Sequence, residues 1–357
     1  MRLATLNLSN RVQINSPTSN PQILRRPWFW LGIALSVLCF WLAARNVSFA
    51  EFKASLSSAR YAWLFPAVLS VLLAVFTRAW RWVVLLDKRD HLLDSFWSQS
   101  LGFLFTNIFP LRLGEPARVL AMSRRCKLPV MQVAASAVVE RLFDAASNVL
   151  VLLVLLPWLQ VPAAVSRAGM SLTVLSLAGF GVLLLLVRFD RYSETLIKFI
   201  FRRFPSFPVE KLLMRWKELV VGFVPLTRWR TALQVSLWSL LTWTLIIGTY
   251  WCVLRAFRPD GLLVEAAFMM VALSFAVAIP SSPGFVGVFQ FAGQQALVLP
   301  FGAKYDATNA FAITLTAHMV YYIPTTLLGL IGLWRLGESL LNFGRGLKMA
   351  QQPSKVS

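Results

Sequence analysis

Glu140, Arg141 and Asp144 stand inside the otherwise apolar stretch ASAVVERLFD. Glu140 and Asp144 are four apart and so share a helix face. A charge at the centre of a membrane span costs at least ~2.5–3.5 kcal/mol, so each needs a partner or a task. Arg112, Glu115 and Arg118 follow Pro110, where an apolar run over 95–109 stops and a new helix begins. A helix start offers free N–H groups and a positive dipole end, and arginine adds a fork of donors that matches phosphate oxygens. Together these types can recognise a phosphate-bearing headgroup. The carboxylates would hold its cationic or hydroxyl part, or order the arginines. A structural ion-pair network tying Glu140 and Asp144 to Arg112 or Arg118 explains the same residues, and the two roles can coexist.

A second group lies in PSSPGFVGVFQ, where Ser281, Ser282, Gly284 and Gly287 leave the backbone with little side-chain cover. That suits an anionic or polar group at a helix start, or a tight turn. Gln290 and Gln294, four apart, share a face there, and His318 lies farther on with Tyr321 and Tyr322. A lone His in a span is more often a hydrogen-bonded structural residue than a catalyst. The sequence has no nucleophile–base pattern, HExxH, Walker motif or GxGxxG, so neither a hydrolase nor an ATP-driven pump is expected, and no cofactor. Cys39, Cys126 and Cys252 are too scattered for a zinc site or a disulfide framework.

The composition says what must position these groups. Hydrophobic residues make up 57% of the chain and charged residues 14%, against about 25% charged in soluble domains. The net charge of +20 sits in gaps between apolar runs, a membrane-protein pattern that argues against nucleic acid as a partner.

The runs predict an all-α polytopic membrane protein of about six transmembrane helices and two re-entrant helical hairpins. The spans fall over 28–44, 62–76 (running on towards 86), 132–157, 170–187, 231–254 and 307–334. Arg78 and Arg81 are expected to snorkel from the end of the second. The loop after the first span should hold a helix lying in the interface. The hairpins cover 92–126, broken at Pro110, and 262–300, broken at 280–284; such backbone is tolerated where protein or a watery cavity covers it. Residues 28–187 and 231–334 form two halves joined by a basic, amphipathic linker, 188–230, suited to anionic headgroups. With that linker, the segment 78–131 and the tails 1–27 and 335–357 on the cytoplasmic side, 27 of the 35 Lys and Arg lie inside and 7 outside. Hairpins entering from opposite faces suggest an inverted repeat with a site near the midplane.

The blocks NIFPLRLGEPAR (Asn107–Arg118), LPV (Leu128–Val130) and ASAVVERLFD (Ala135–Asp144), with IPSSPGFVGVFQ (Ile279–Gln290), resemble the lysylphosphatidylglycerol synthase transmembrane, or flippase-like domain, family. The likeness covers about residues 30–335. It implies an inner-membrane protein that moves a lipid or lipid-linked compound between leaflets. The second motif usually continues as Pro-Gly-Gly and ends in Glu, whereas this chain has Phe285 and Gln290. With the chain ending at Ser357, the soluble synthase activity of the family's best-known member is not expected. The expected substrate is a membrane phospholipid or lipid-linked headgroup, met by Arg112, Glu115, Arg118, Glu140, Arg141 and Asp144 with Ser282, Gly284 and Gln290. A homo-oligomer or a partner enzyme is a further expected association. The alternative readings are a non-transporting scaffold or accessory subunit that docks such an enzyme, and a membrane-embedded transferase.

Overall fold

The apolar runs fold as helices in the computed structural model, which describes residues 27–109, 113–158, 209–279 and 281–337 and isolated helical positions between 167 and 200. No strand occurs among the described residues. Arg112, the tails up to Arg26 and beyond Gly337, most of the fourth expected span and the first part of the linker lie outside them.

Helix α1 (Pro27–Ala44) is followed by α2 (Phe49–Ser58), which turns away by 82° and has no buried residue. The loop after the first span thus holds a helix, started by Ser48, whose hydroxyl accepts from Glu51 N. Helix α3 (Leu64–Leu86) runs unbroken through Arg78 and Arg81. Next come α4 (Leu92–Ile108), α5 (Gly114–Cys126) and α6 (Val130–Leu155). Helix α7 (Val209–Phe223) is the described part of the linker. The second half holds α8 (Trp229–Phe257), α9 (Leu263–Ala276), α10 (Val288–Phe301) and α11 (Ala307–Arg335).

Among the described residues, four helical segments are long and apolar enough to cross a membrane: Tyr61–Leu86, Trp229–Phe257, Pro283–Phe301 and Ala307–Arg335. The bent pair α1–α2 makes a fifth. Helix α6 is as long but carries the three charges. Large apolar side chains such as Leu38, Phe65, Leu73, Leu240 and Leu327 face outward while arginines and carboxylates are buried. That inversion belongs to an integral multi-pass membrane protein.

Helices α3 and α8 form the most extensive pairing and run antiparallel: Arg60 N donates to Ala256 O at one end, and Arg89 Nη2 donates to Gln234 Oε1 at the other. Thr77 and Thr242, each thirteen residues into its helix, share a 2.8 Å hydrogen bond at the crossing.

The α4–α5 and α9–α10 pairs are both hairpins closed at their bases by an acid–base contact. Asp94, third residue of α4, lies 3.9 Å from Arg125 near the end of α5. Glu265, third residue of α9, lies 2.8 Å from Lys304 just beyond α10, and also accepts from the Tyr305 hydroxyl at 2.6 Å. The first base sits at the C-terminal end of α11, where Arg125 donates to Leu336 O, and the second beside its N-terminal end. The two hairpins therefore enter the bundle from opposite ends of a helix about 43 Å long.

Their tips meet midway. Asn107, at the end of α4, donates to Thr325 and Thr326 at 3.2 and 2.9 Å, and its carbonyl accepts from the Tyr322 hydroxyl at 3.3 Å. Gly284, in the break of the second hairpin, lies against the same ring: a Cβ there would stand 2.6 Å from Tyr322 and 3.2 Å from Asn107 O.

Candidate functional site

Arg81, one turn before the end of α3's apolar face, is 1% exposed and stands between two carboxylates of α6. Its Nη1 donates to Asp144 Oδ1 at 2.8 Å and to Ser239 of α8 at 3.0 Å, and its Nη2 meets Glu140 Oε1 at 3.3 Å. Glu140 Oε2 accepts from Arg118 Nη1 at 2.5 Å. Arg118, on α5, also grips Glu115 Oε2 at 2.8 Å through both Nε and Nη2. Glu115 Oε1 pairs with Arg141, and Arg141 Nη1 returns to Asp144 Oδ2 at 3.3 Å. Arg81, Glu140, Arg118, Glu115, Arg141 and Asp144 thus close a ring of alternating charge, with Arg78 beside Asp144 at 3.6 Å.

The ring corrects the expectation that Arg78 and Arg81 reach headgroups from a helix end. The second span continues to Leu86, which carries both arginines into the bundle. Arg118 is buried as well, so three of the residues counted as facing the cytoplasm lie inside the protein and the inside count falls from 27 to 24. Burying so many charges is tolerated because each faces an opposite one; a buried ion left without its partner costs about 3–5 kcal/mol.

The ring has a closed side and an open side. Arg81, Glu140, Arg118 and Asp144 are buried, and Arg118 lies 4.7 Å over the Trp82 ring, itself held by its Nε1 bond to Ser136. At the open side the Arg141 side chain is 54% exposed and that of Glu115 39%. The Glu115–Arg141 pair can exchange its contact for one with a ligand at least cost, because water can take over what the partner gives up.

The second expected group forms a separate, neutral cluster. Gln290 Oε1 accepts from Gly287 N at 2.7 Å and Gln290 Nε2 meets His318 Nδ1 at 2.8 Å. His318 Nε2 meets the Gly284 carbonyl at 2.9 Å. With Gln290 as donor, one neutral tautomer of His318 satisfies every one of these atoms. The chain break spans 277–287, wider than expected. It depends on Gly284 at φ 64° and Gly287 at φ 90°, where a Cβ would stand 2.0 Å from Ser36 O. Phe285 also sits in the left-handed region, at φ 59°. The Ser282 N–H donates to Ser36 Oγ at 2.9 Å, and its hydroxyl donates to Val286 O at 2.9 Å. Gln294 donates to Ala43 O and Ala307 O. Serine, glycine and glutamine here hold the hairpin in shape and dock it on α1 and α11.

Arg118, Glu115, Glu140, Arg141 and Asp144 are brought together, Gly284 and Gln290 meet at His318, and Ser282 bonds instead to Ser36 and Val286. Arg78, Arg81, Ser239 and Asn107 were not foreseen. The apolar continuation Trp82–Leu86 was the available signal for the two arginines, since a run that long carries them away from the helix end.

Outside the spans, burial and the Glu265 carboxylate it donates to push the Tyr305 hydroxyl above its usual range. Among the described residues no group of His, Cys, Asp and Glu could hold a metal ion.

Residues 29–329 match the family described as the lysylphosphatidylglycerol synthase TM region. No curated protein and no solved structure matches the chain.

Proposed function

The chain belongs to the lysylphosphatidylglycerol synthase TM region family, and from that membership we propose that it moves an anionic lipid or lipid-linked headgroup between the leaflets of the inner membrane. The observation that carries this reading is the charge ring, buried on one side and open at Glu115 and Arg141 on the other. A purely structural network gains nothing from an open edge in an apolar bundle. Glu140 and Asp144 order Arg81, Arg118 and Arg141. Glu115 releases Arg141 to the phosphate and meets the cationic or hydroxyl part of the headgroup. Arg112, at the hairpin break, supplies a further phosphate contact.

The hairpins entering from opposite ends and meeting at Tyr322 fit an inverted repeat with alternating access: rocking one half on the Thr77–Thr242 crossing opens one side as it closes the other. In this reading both termini and the basic linker face the cytoplasm.

The test is mass spectrometry of the lipids that co-purify with the full chain, beside an Arg112→Ala, Glu115→Gln variant. One lipid class enriched in the wild type and lost in the folded variant supports the reading. Equal, unselective lipid in both shifts the function to a scaffold whose basic linker docks a partner enzyme.

A further inference from the structure

The break of the second hairpin is held by a chain of hydrogen bonds that leaves no freedom in where its protons lie. The Gly287 N–H can only donate, so the Gln290 atom that meets it at 2.7 Å is the carbonyl oxygen, and the atom turned to His318 Nδ1 at 2.8 Å is the amide nitrogen. His318 Nδ1 must therefore accept, and Nε2, 2.9 Å from the Gly284 carbonyl, must carry the ring proton. A second ring proton would aim Nδ1–H at an N–H donor. Turning the Gln290 amide over moves the conflict to Gly287, whose N–H would then face the NH2 group. Phe289, stacked at 4.4 Å, and the titratable Tyr322, edge-on at 5.6 Å with its hydroxyl given to Asn107 O, offer no acceptor in the ring plane.

No charge offsets a second proton either. Helix α1, residues 277–287 and α10 contain no charged residue, and Asp94 of α4, Glu265 of α9 and Arg335 of α11 stand at the helix ends remote from the break. Arg78 and Arg81 of α3 face Asp144 and Glu140 instead, and Arg230 and Arg255 stand at the two ends of α8. Helix α2, with Glu51 and Lys53, meets α11 near its start, at Thr308, Asn309 and Phe311.

The break is also held against strain: Gly284, Phe285 and Gly287 all have positive φ, a region that phenylalanine disfavours. We propose that His318 is the proton site of a latch on the second hairpin. The neutral ring closes the break, and uptake of one proton from water at Nδ1, as the break parts from α11, holds it open. On opening, Gln290 and Gly287 take water as their partner, Nε2 keeps its proton, and the added proton makes an imidazolium; closing returns that proton to water. A ring freed from the network charges below about pH 6.5, so the closed form is favoured above that pH and loses ground below it. Gly284 and the Asn107 tip of the first hairpin meet at Tyr322, one turn along α11 from His318, so the latch acts where the two hairpins touch. The inference goes beyond the headgroup reading and holds for any compound that the protein moves.

The experiment uses the purified full chain in detergent micelles. Nitrogen NMR of isotope-labelled histidine reads the tautomer; the chain has two histidines, and His91→Gln leaves one. At about pH 7.5 the latch predicts a neutral ring with its proton on Nε2; a charged ring, or one with its proton on Nδ1, overturns it. Hydrogen–deuterium exchange of residues 279–290, corrected for the intrinsic effect of pH on exchange, reads opening. The wild type should open about ten-fold more at about pH 5.5 than at about pH 7.5. His318→Gln keeps one acceptor and one donor, as in the neutral ring, but cannot take the extra proton, so its opening should not change with pH. Gln290→Glu supplies a carboxylate that accepts from both the Gly287 N–H and a charged ring, so acid should no longer open its break. No acid response in the wild type overturns the latch, and so does a full wild-type response retained in either folded variant. Should neither variant fold, the tautomer and the wild-type response decide.

Discussion

Asn107 donates to Thr326 at 2.9 Å and so fixes the tip of the first hairpin to α11, one turn from the Tyr322 that packs under Gly284 of the second. Two interrupted helices thus share one contact point, and any motion that separates the halves must pass through it. With Cys39, Cys126 and Cys252 replaced by serine, an Asn107→Cys, Thr326→Cys pair is expected to form a disulfide on mild oxidation. Mobility on a denaturing gel with and without reductant reads it. Failure to cross-link in the folded protein would place the tips apart.

Glu140 and Glu115 belong to one ring but should respond differently to neutralisation. Glu140→Gln leaves buried Arg81 and Arg118 short of their shared counter-ion, and a loss of about 3–5 kcal/mol is expected. Glu115→Gln changes the open edge and should leave the melting temperature in detergent close to wild type while abolishing selective lipid retention. Equal melting temperatures for the two variants would mean that the ring is not buried as described.

The neutral cluster at the second hairpin predicts a contrast at one position. Gln290→Leu removes the acceptor for Gly287 N–H and the partner of His318, and about 1–3 kcal/mol of stability should go with each buried group left unpaired. Gln290→Glu keeps the acceptor at Gly287 and restores the acid of the family pattern, so it should fold. Thermal unfolding of both variants checks this; equal stability would detach Gln290 from the hairpin.

Close helix contact sets a third contrast. A Cβ at Gly329 of α11 would lie 2.5 Å from Leu104 Cβ and from Ser100 O of α4. Gly329→Ala should therefore cost about 1–3 kcal/mol by forcing α4 and α11 apart. Gly248 of α8 has its nearest neighbour at 3.9 Å, and Gly248→Ala should be neutral or stabilising by up to ~1 kcal/mol. A reversed order in a melting assay would contradict the α4–α11 packing.

Much of this was legible in the sequence, and the rest has a physical reason. Apolar runs interrupted at Pro110 and at Pro283–Gly284 pointed to the paired helices α4–α5 and α9–α10, because a proline followed closely by glycine favours a break over a continuous helix. The four-residue spacing of Glu140 and Asp144 gave one charged face. What the sequence did not reveal is which cations meet that face. Arg78 and Arg81 read equally well as interfacial anchors, since pairing across 63 positions, from Arg81 to Asp144, is a tertiary fact with no local signature. The shared face of Gln290 and Gln294 was visible from their spacing, while their engagement with Gly287, His318 and Ala43 appears only once α1, α10 and α11 are assembled. The departure at Phe285 was visible as a missing glycine, and its positive φ locates that departure in the break itself.

The most direct test of the central claim is leaflet exchange of a fluorescent phosphatidylglycerol in proteoliposomes carrying the full chain with the Asn107→Cys, Thr326→Cys pair. The account predicts exchange well above that of protein-free vesicles when the pair is reduced, arrest when it is oxidised, and recovery on renewed reduction. Exchange no faster than in protein-free vesicles, from reduced and demonstrably folded protein, would contradict translocation and leave the scaffold as the function.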